Sequence, residues 1–230
     1  MHKIFSITKD STRTLIYILG IKISIGKPHI HNYIYVINSK TGVKRRVRHI
    51  NGIKIEFRKS DSSVTIYEPF ISFKNNEFIL TENCHIVIGN KTNSKLYGMQ
   101  NIKISMVSNN AKLTIGTDFY NAYSTYNIGN NANVEIGNDC MFSGGIHILA
   151  GDCHNIIDKK SGTILSKNSN LRIGNHVWVG SHSTILKNAS IQSDSIVGAN
   201  SLVASKFDES NIIIAGNPAK IIKKDIDWEK

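Results

Sequence analysis

The sequence predicts a mainly β protein built as a parallel β-helix, and three observations carry that prediction. An aliphatic residue recurs every six positions, at Ile173, Val179, Ile185, Ile191, Val197 and Val203. Glycine follows three of these aliphatic residues, and asparagine or aspartate occupies many of the positions between them. Both residue types tolerate the backbone conformations of tight turns. A six-residue period fits neither a helix nor a single strand, so it indicates short strands joined by turns in stacked coils.

The same pattern extends upstream in a less regular form. Ile-Gly pairs stand at 88–89, 115–116, 128–129 and 136–137. We therefore expect a β-helix domain over residues 62–211, with irregular coils before residue 128. The tail over residues 212–230 is expected to contain a turn at Asn217-Pro218 and a short C-terminal helix.

One interruption of the repeat stands out. Between Ile148 and Ile173 the six-residue rhythm fails for about 25 residues. Long excursions from a regular repeat are uncommon, and functional residues concentrate in such loops. We expect a protruding functional loop at about residues 149–171.

The net charge of +11 is confined to the N-terminal quarter of the chain. Residues 1–60 contain 13 basic and 2 acidic side chains, whereas the remainder contains 15 of each. We therefore treat residues 1–61 as a separate basic segment, with a strand around Ile53–Phe57 and a short helix over residues 11–20. Such a segment suits an acidic polysaccharide, an anionic membrane face or nucleic acid. Nucleic acid is disfavoured because no binding motif accompanies the charge, and a solvated segment without a partner is the alternative.

The composition excludes several other classes of protein. A hydrophobic content of 40% with 20% charged residues is typical of a globular protein and not of a disordered one. Three cysteines without a C-x-x-C pair argue against a disulfide scaffold and a zinc ribbon. The apolar stretch Leu15–Ile21 is far shorter than the roughly 20 residues of a membrane span. No signal-peptide cleavage site follows it, so a cytoplasmic protein is expected.

Four phrases in the second half of the chain resemble a known family. They are Gly151-Asp152-Cys153-His154, residues 173–180 (IGNHVWVG), residues 184–187 (TILK) and residues 214–220 (IAGNPAK). In this order they are similar to the hexapeptide-repeat O-acetyltransferases, and most similar to those that modify bacterial capsules and lipopolysaccharides. The resemblance covers about residues 110–228 and does not include the basic segment. It implies a left-handed β-helix, a homotrimer with active sites between subunits, and transfer of an acetyl group from acetyl-CoA to a glycan hydroxyl.

The resemblance implies that His154 is the general base. A sugar hydroxyl is a poor nucleophile, and histidine, with an unperturbed pKa of about 6.5, suits the removal of its proton. The family has a proline after this histidine, where this chain has Asn155. Asp152 either orients His154 or is a turn residue, and Trp178 either lines the acceptor groove or packs structurally.

The resemblance also places the acetyl-CoA contacts in the last coils and the tail. These residues are Gly180, Ser181, Ala199, Ser205, Lys206, Asn217, Pro218, Lys220 and Lys223. Lysines suit this role because CoA carries several phosphates. We expect no metal, because His147, His176 and His182 lack the arrangement that a zinc site needs.

Two groups of alternative functions remain open at this stage. One is acetyl transfer to another acceptor, either a nucleotide-linked amino sugar or a small antibiotic. The other is a β-helix without catalysis that serves as a scaffold or a glycan-binding module. The acceptor is expected to be a surface glycan, and the basic segment would suit an acidic one. A peripheral contact with the inner membrane face through residues 1–60 is a further expectation. Neither the sugar nor the hydroxyl position is encoded in a recognisable motif.

Overall fold

A computed structural model describes residues 31–92, 98–152, 154–166 and 169–230, together with the backbone of three strands between residues 5 and 26. The chain divides into two compact units, Met1–His31 and Asn32–Lys230. The basic segment is thus split, since residues 32–61 belong to the second unit. The observed division therefore differs from the boundary after residue 61 that the charge distribution predicts.

The first unit contains a three-stranded antiparallel sheet. Its strands are β1 (Phe5–Lys9), β2 (Arg13–Ile18) and β3 (Ile21–Gly26), in the order β1-β2-β3. The helix expected over residues 11–20 is wrong, because most of that stretch is β2. The sequence of β2, RTLIYI, is rich in the β-branched and aromatic residues that favour strands.

The second unit contains 22 short strands among its described residues. In chain order they are β4 (Tyr33–Asn38), β5 (Lys44–Val47), β6 (Ile53–Phe57), β7 (Ser63–Glu68), β8 (Phe73–Lys74), β9 (Asn76–Leu80), β10 (His85–Ile88), β11 (Met99–Met106), β12 (Lys112–Ile115), β13 (Tyr120–Ile128), β14 (Asn133–Ile136), β15 (Met141–Phe142), β16 (Ile146–Ala150), β17 (Asn170–Ile173), β18 (Trp178–Val179), β19 (Thr184–Leu186), β20 (Ser190–Ile191), β21 (Ile196–Val197), β22 (Leu202–Val203), β23 (Lys206–Phe207), β24 (Ile213–Gly216) and β25 (Ala219–Lys223).

These strands stack in parallel to form three faces of a β-helix. The first face contains β4, β7, β10, β12, β14, β17, β20 and β23. The second face contains β8, β15, β18, β21, β24 and the beginnings of β11 and β13. The third face contains β6, β9, β16, β19, β22 and the remainders of β11 and β13. The predicted parallel β-helix is therefore confirmed.

The strand register shows the six-residue repeat as an 18-residue coil. Ile173 pairs with Ile191, Val179 with Val197, and Ile185 with Val203, in each case 18 residues apart. All six aliphatic residues of the repeat are buried. Three six-residue units thus make one coil, and the aliphatic residues of successive coils fill its interior.

Three edges join the faces, and each is a column of residues with left-handed backbone. The first edge, between the first and second faces, includes Asp118, Asp139, His176, Asp194 and Asn211. The second edge, between the second and third faces, includes Asn75, Asn101, Tyr123, His182 and Asn200. The third edge leads from the third face to the next coil and includes Asp61, Asn83, Asn110, Asn131 and Asn188. Asparagine and aspartate dominate because they tolerate this conformation at little cost.

The β-helix begins earlier than the sequence predicts. Strand β4 pairs in parallel with β7 over six residues, and β6 pairs in parallel with β9. The first coil therefore starts at Tyr33 and not near residue 62. The six-residue pattern is hidden here because β5 is inserted as an antiparallel partner of β4.

The expected C-terminal helix is wrong. Residues Ala219–Lys223 form β25, which pairs antiparallel with β24 around a turn at Asn217-Pro218. The segment 224–230 then lies along the first edge, where Trp228 is buried and donates a hydrogen bond to the His176 carbonyl. Among the described residues, no helix has the length and hydropathy required to cross a membrane.

Candidate functional site

The protruding loop lies on the third edge of the β-helix. Ile148 pairs with Ile185, 37 residues further on, whereas a regular coil places paired residues 18 apart. The chain between β16 and β17 therefore contains 19 additional residues. Its outer part is a hairpin closed by an antiparallel bridge between Ile157 and Ile164. The expected loop at about residues 149–171 is thereby located at residues 151–169.

His154 lies at the base of this loop with an exposed side chain. The hydroxyl of Ser166 donates a hydrogen bond to the His154 carbonyl at 3.2 Å and accepts one from the Ile156 amide at 2.5 Å. One serine therefore closes the base of the loop from the opposite side. This arrangement holds the backbone of His154 while its imidazole stays accessible to solvent.

His154 and Asp152 line the same open cleft. The cleft has a volume of about 500 Å³ and is otherwise lined by Ser108, Asn109, Asn130 and Asn155. Hydroxyl and amide side chains both donate and accept hydrogen bonds, as sugar hydroxyls do. The cleft therefore has the polar character expected of a glycan site.

Asp152 is engaged by a cation in this cleft. Its carboxylate accepts a hydrogen bond from the ammonium of Lys187, and both side chains are partly buried. Lys187 comes from the end of β19 on the following coil, so the pair joins the loop to the β-helix. The sequence predicts that Asp152 assists His154, but the described contacts include no direct hydrogen bond between these two residues.

A second group of predicted residues lies on the second edge. Gly180 lies against Ala199 on the next coil, and a Cβ atom on Gly180 would lie 2.6 Å from the Ala199 nitrogen. Ser181 is partly exposed and Ala199 is exposed. Successive coils thus approach closely here and present a narrow, small-residue surface.

The closing hairpin of β24 and β25 continues this second-edge surface. Asn217 and Pro218 form its turn, and Lys220 and Lys223 are exposed on β25. The positive charge of these lysines is opposite to the negative charge of the CoA phosphates. Ser205 and Lys206 lie elsewhere, because Lys206 pairs with Ser190 on the first face.

Trp178 lies on the second face next to this surface. Its indole N–H donates a hydrogen bond to the Ser143 hydroxyl at 3.2 Å, and its ring centroid lies 6.0 Å from that of Trp228. The side chain is partly exposed. Trp178 therefore accompanies the predicted acetyl-CoA residues and not His154.

The third face separates His154 from the second-edge residues. At about 3.3 Å per residue, the five residues of β16 set these two edges about 15 Å apart. One chain therefore does not bring the predicted base and the predicted acetyl-CoA residues together.

The remaining histidines that the sequence singles out lie apart from one another. His176 is on the first edge, His182 on the second edge and His147 on the third face. Among the described residues, no three histidine, cysteine or acidic side chains converge as a metal site requires. Burial raises the pKa of the Cys140 thiol to about 12, so this thiol is protonated at neutral pH.

Sequence reasoning missed Lys187, Ser166 and Trp228. Lys187 lies within the TILK phrase but is 35 residues from Asp152, and no sequence spacing joins the two. Ser166 lies in a loop without repeat pattern. Trp228 is one of only two tryptophans, and that rarity was the available signal for an anchoring role in the tail.

Comparison with known proteins places the chain among acetyltransferases. It is 31% identical over 162 residues to the polysialic acid O-acetyltransferase of Neisseria meningitidis, a match that covers 67% of this chain and 75% of that protein. The polysialic acid O-acetyltransferase of Escherichia coli O1:K1 is 36% identical over 139 residues, which are 60% of this chain and 43% of that protein. The chain belongs to the hexapeptide-repeat acetyltransferase family. Its parallel β-helix is accordingly the left-handed one.

The solved structure of the polySia specific acetyltransferase NeuO has 24% sequence identity and a TM-score of 0.48, with 86% of this chain and 89% of that chain covered. The match to the Escherichia coli relative spans less than half of that protein's length. No family model matches the chain.

Proposed function

We propose that this protein is an O-acetyltransferase that moves an acetyl group from acetyl-CoA to a hydroxyl of an acidic bacterial surface glycan. The observation that carries the proposal is the placement of His154, whose accessible imidazole lines a polar cleft at the base of an inserted loop. Family membership supplies the reaction class. The names of the two relatives favour a carboxylated polysaccharide as acceptor.

In the proposed reaction His154 removes the proton of the acceptor hydroxyl as its oxygen attacks the thioester carbonyl. The tetrahedral intermediate then collapses, the carbon–sulfur bond breaks, and the CoA thiolate takes the proton back from the His154 imidazolium. The acetyl group passes directly to the acceptor oxygen. The Asp152 carboxylate near the cleft favours the transient positive charge on His154, and its ion pair with Lys187 fixes its position.

We propose further that acetyl-CoA binds along the second edge. Lys220 and Lys223 on the closing hairpin would contact its phosphates, and the small residues Gly180, Ser181 and Ala199 leave room for its pantetheine arm. Trp178 would line the acceptor side of this groove. Lys206 and Ser205 lie on a different part of the last coils and join this site only from a neighbouring chain.

The separation of the two edges supports a homotrimer with shared sites. The His154 cleft and the second-edge surface lie about 15 Å apart in one chain. A neighbouring copy that presents its second edge to the His154 cleft would complete the site, and closed cyclic symmetry would repeat it at each interface. We place the enzyme in the cytoplasm, where acetyl-CoA is produced.

The replacement His154→Ala tests the base assignment. Loss of a general base reduces turnover by roughly 10²–10⁴, so we expect a decrease of that size in kcat with little change in the KM for acetyl-CoA. CoA thiol release with a carboxylated capsular polysaccharide as acceptor measures both quantities.

His49→Ala is the matched control, because His49 is also exposed but lies on the first coil. It should retain wild-type turnover. If His154→Ala stays within about threefold of wild type, His154 is not the base. If the wild-type protein neither binds nor consumes acetyl-CoA, the protein is a scaffold or a binding module instead.

A further inference from the structure

The positive charge of residues 32–61 divides into two groups in the structure. Four of its eight basic side chains make ion pairs, which are Arg45–Glu68, Lys54–Glu77, Arg58–Glu56 and Lys59–Glu82, at 2.5–3.5 Å. The other four are Lys40, Lys44, Arg46 and Arg48, and none of them forms an ion pair with the part of the chain that the structure describes. The unneutralised charge is thus concentrated on the hairpin of β4 and β5.

Aromatic rings fix two of these four cations in place. The ammonium of Lys44 lies 3.8 Å from the ring centroid of Tyr35, and the guanidinium of Arg46 lies 4.4 Å from that of Tyr33. A cation–π contact leaves the N–H groups of a guanidinium available to donate hydrogen bonds. Because the side chains are held before any ligand arrives, less conformational entropy is lost on binding.

Arg46 and Arg48 line one cleft. It has a volume of about 590 Å³, and its other lining residues are Asn32, Ile34, Val47 and Phe57. Asn32 is itself fixed by hydrogen bonds to the Lys59 carbonyl at 2.6 Å and from the Ser62 amide at 2.9 Å. The cleft therefore combines two guanidinium groups with an apolar wall. A sugar ring that bears a carboxylate has the same combination of an apolar ring face and a negative charge.

This cleft lies on the same edge as His154. Asn32 precedes the first face and Phe57 ends the third face, so the cleft sits on the third edge at the first coil. Between the two clefts, the exposed Asn83, Asn110 and Asn131 form a ladder of amide hydrogen bonds at 2.8 and 3.0 Å. Three to four strand spacings, or about 15–20 Å, separate the cleft from the His154 coils. A polymer can span this distance, whereas a single sugar cannot.

We propose that the Arg46–Arg48 cleft is a remote binding site for carboxylate groups of an acidic polysaccharide, whose chain follows the third edge to the His154 cleft. That this polysaccharide is also the acetyl acceptor rests on the proposed function, whereas the binding site itself does not. A polysaccharide is favoured over a membrane because the two guanidinium groups lie in a concave cleft, whereas a bilayer presents a flat surface. The intervening amides also suit hydroxyl groups.

The test compares glycan binding by the 230-residue chain and by its double variant Arg46→Gln/Arg48→Gln. Polysialic acid serves as the carboxylated probe and dextran as the neutral one, with dissociation constants measured by surface plasmon resonance. Loss of two charge-assisted hydrogen bonds should weaken polysialic acid binding by about tenfold to hundredfold. Dextran binding should not change, and the affinity of the wild type should fall as salt rises.

The matched control is Arg58→Gln/Lys59→Gln, which removes the same charge from the same segment at positions that are ion-paired within the fold. It should bind polysialic acid within about twofold of wild type. Equal weakening by both double variants would mean a diffuse electrostatic effect, and the proposed site would be wrong. If the melting temperature of the first variant is lowered, Arg48→Gln alone replaces it, since Arg48 makes no aromatic contact among the described residues.

Two further measurements separate the possible partners and reactions. If Arg46→Gln/Arg48→Gln loses binding to phosphatidylglycerol vesicles but keeps polysialic acid binding, the hairpin contacts membranes and the proposal is overturned. In acetyl transfer assays, the variant should raise the KM for long polymers about tenfold and leave the KM for a disaccharide unchanged. If the wild type binds the polymer through the arginines but transfers no acetyl group, the proposed function fails while the binding site stands.

Discussion

Lys187 contributes to the candidate site through one contact, its ion pair with Asp152. Its ammonium holds the Asp152 carboxylate in the cleft that His154 also lines, and both side chains are partly buried. Removing one member of such a pair leaves the other charge without compensation. The pair therefore acts as a unit that positions the loop base, although neither residue has to touch substrate.

A double-mutant cycle tests this unit. We expect Lys187→Met and Asp152→Asn each to lower kcat by about tenfold, and the double variant to be no worse than either, because residues in one ion pair are not additive. Additive losses would show that Asp152 and Lys187 act separately. The control is Lys160→Met, which replaces an exposed lysine of the same loop and should have wild-type activity.

At the scale of elements, the C-terminal segment 224–230 works as a strap along the first edge. The Trp228 ring stacks on that of His176 at 4.2 Å, and its indole N–H donates a hydrogen bond to the His176 carbonyl at 2.9 Å. Lys230 extends the contact to Asp139, on the coil that precedes the inserted loop. The strap thus ties together coils on both sides of the loop.

Trp228→Ala should therefore lower the free energy of unfolding by about 3 kcal/mol, as expected for loss of a buried aromatic side chain. Urea denaturation followed by tryptophan fluorescence and circular dichroism measures this change. The exposed neighbour gives a control, Glu229→Ala, which should unfold within about 0.5 kcal/mol of wild type. A stability unaffected by Trp228→Ala would mean that the segment is not bound to the β-helix in solution.

At the scale of the whole molecule, the proposed sharing of sites between copies can be tested by complementation. The variants His154→Ala and Lys220→Glu/Lys223→Glu damage different edges, so each should be weakly active alone. In mixed oligomers from co-expression, about one quarter of the interfaces would combine two intact edges by chance, and activity should recover accordingly. If mixed oligomers are no more active than the separate variants, each site lies within one chain.

The repeat could be predicted because it is local. Each coil places an aliphatic residue inward and a turn residue at each edge, and both preferences are visible in Ile173, Val179 and the residues that follow them. The first coil was missed because β5 interrupts the pattern. The tail was misassigned because an Ile- and Lys-rich segment fits a helix as well as an edge strand, and pairing with β24 decides between them.

The sequence by itself determined the β-helix, the inserted loop and the family to which the chain belongs, because these follow from spacing and from short contiguous phrases. The same phrases identified His154 as the candidate base. The tertiary structure decided which edge each residue occupies. Lys187 meets Asp152, and the Arg46–Arg48 cleft shares an edge with His154, only because stacked coils bring residues of distant sequence into register. The same stacking neutralises half of the basic side chains of residues 32–61, since their carboxylate partners lie mostly on neighbouring coils, and sequence spacing carries no record of such pairs.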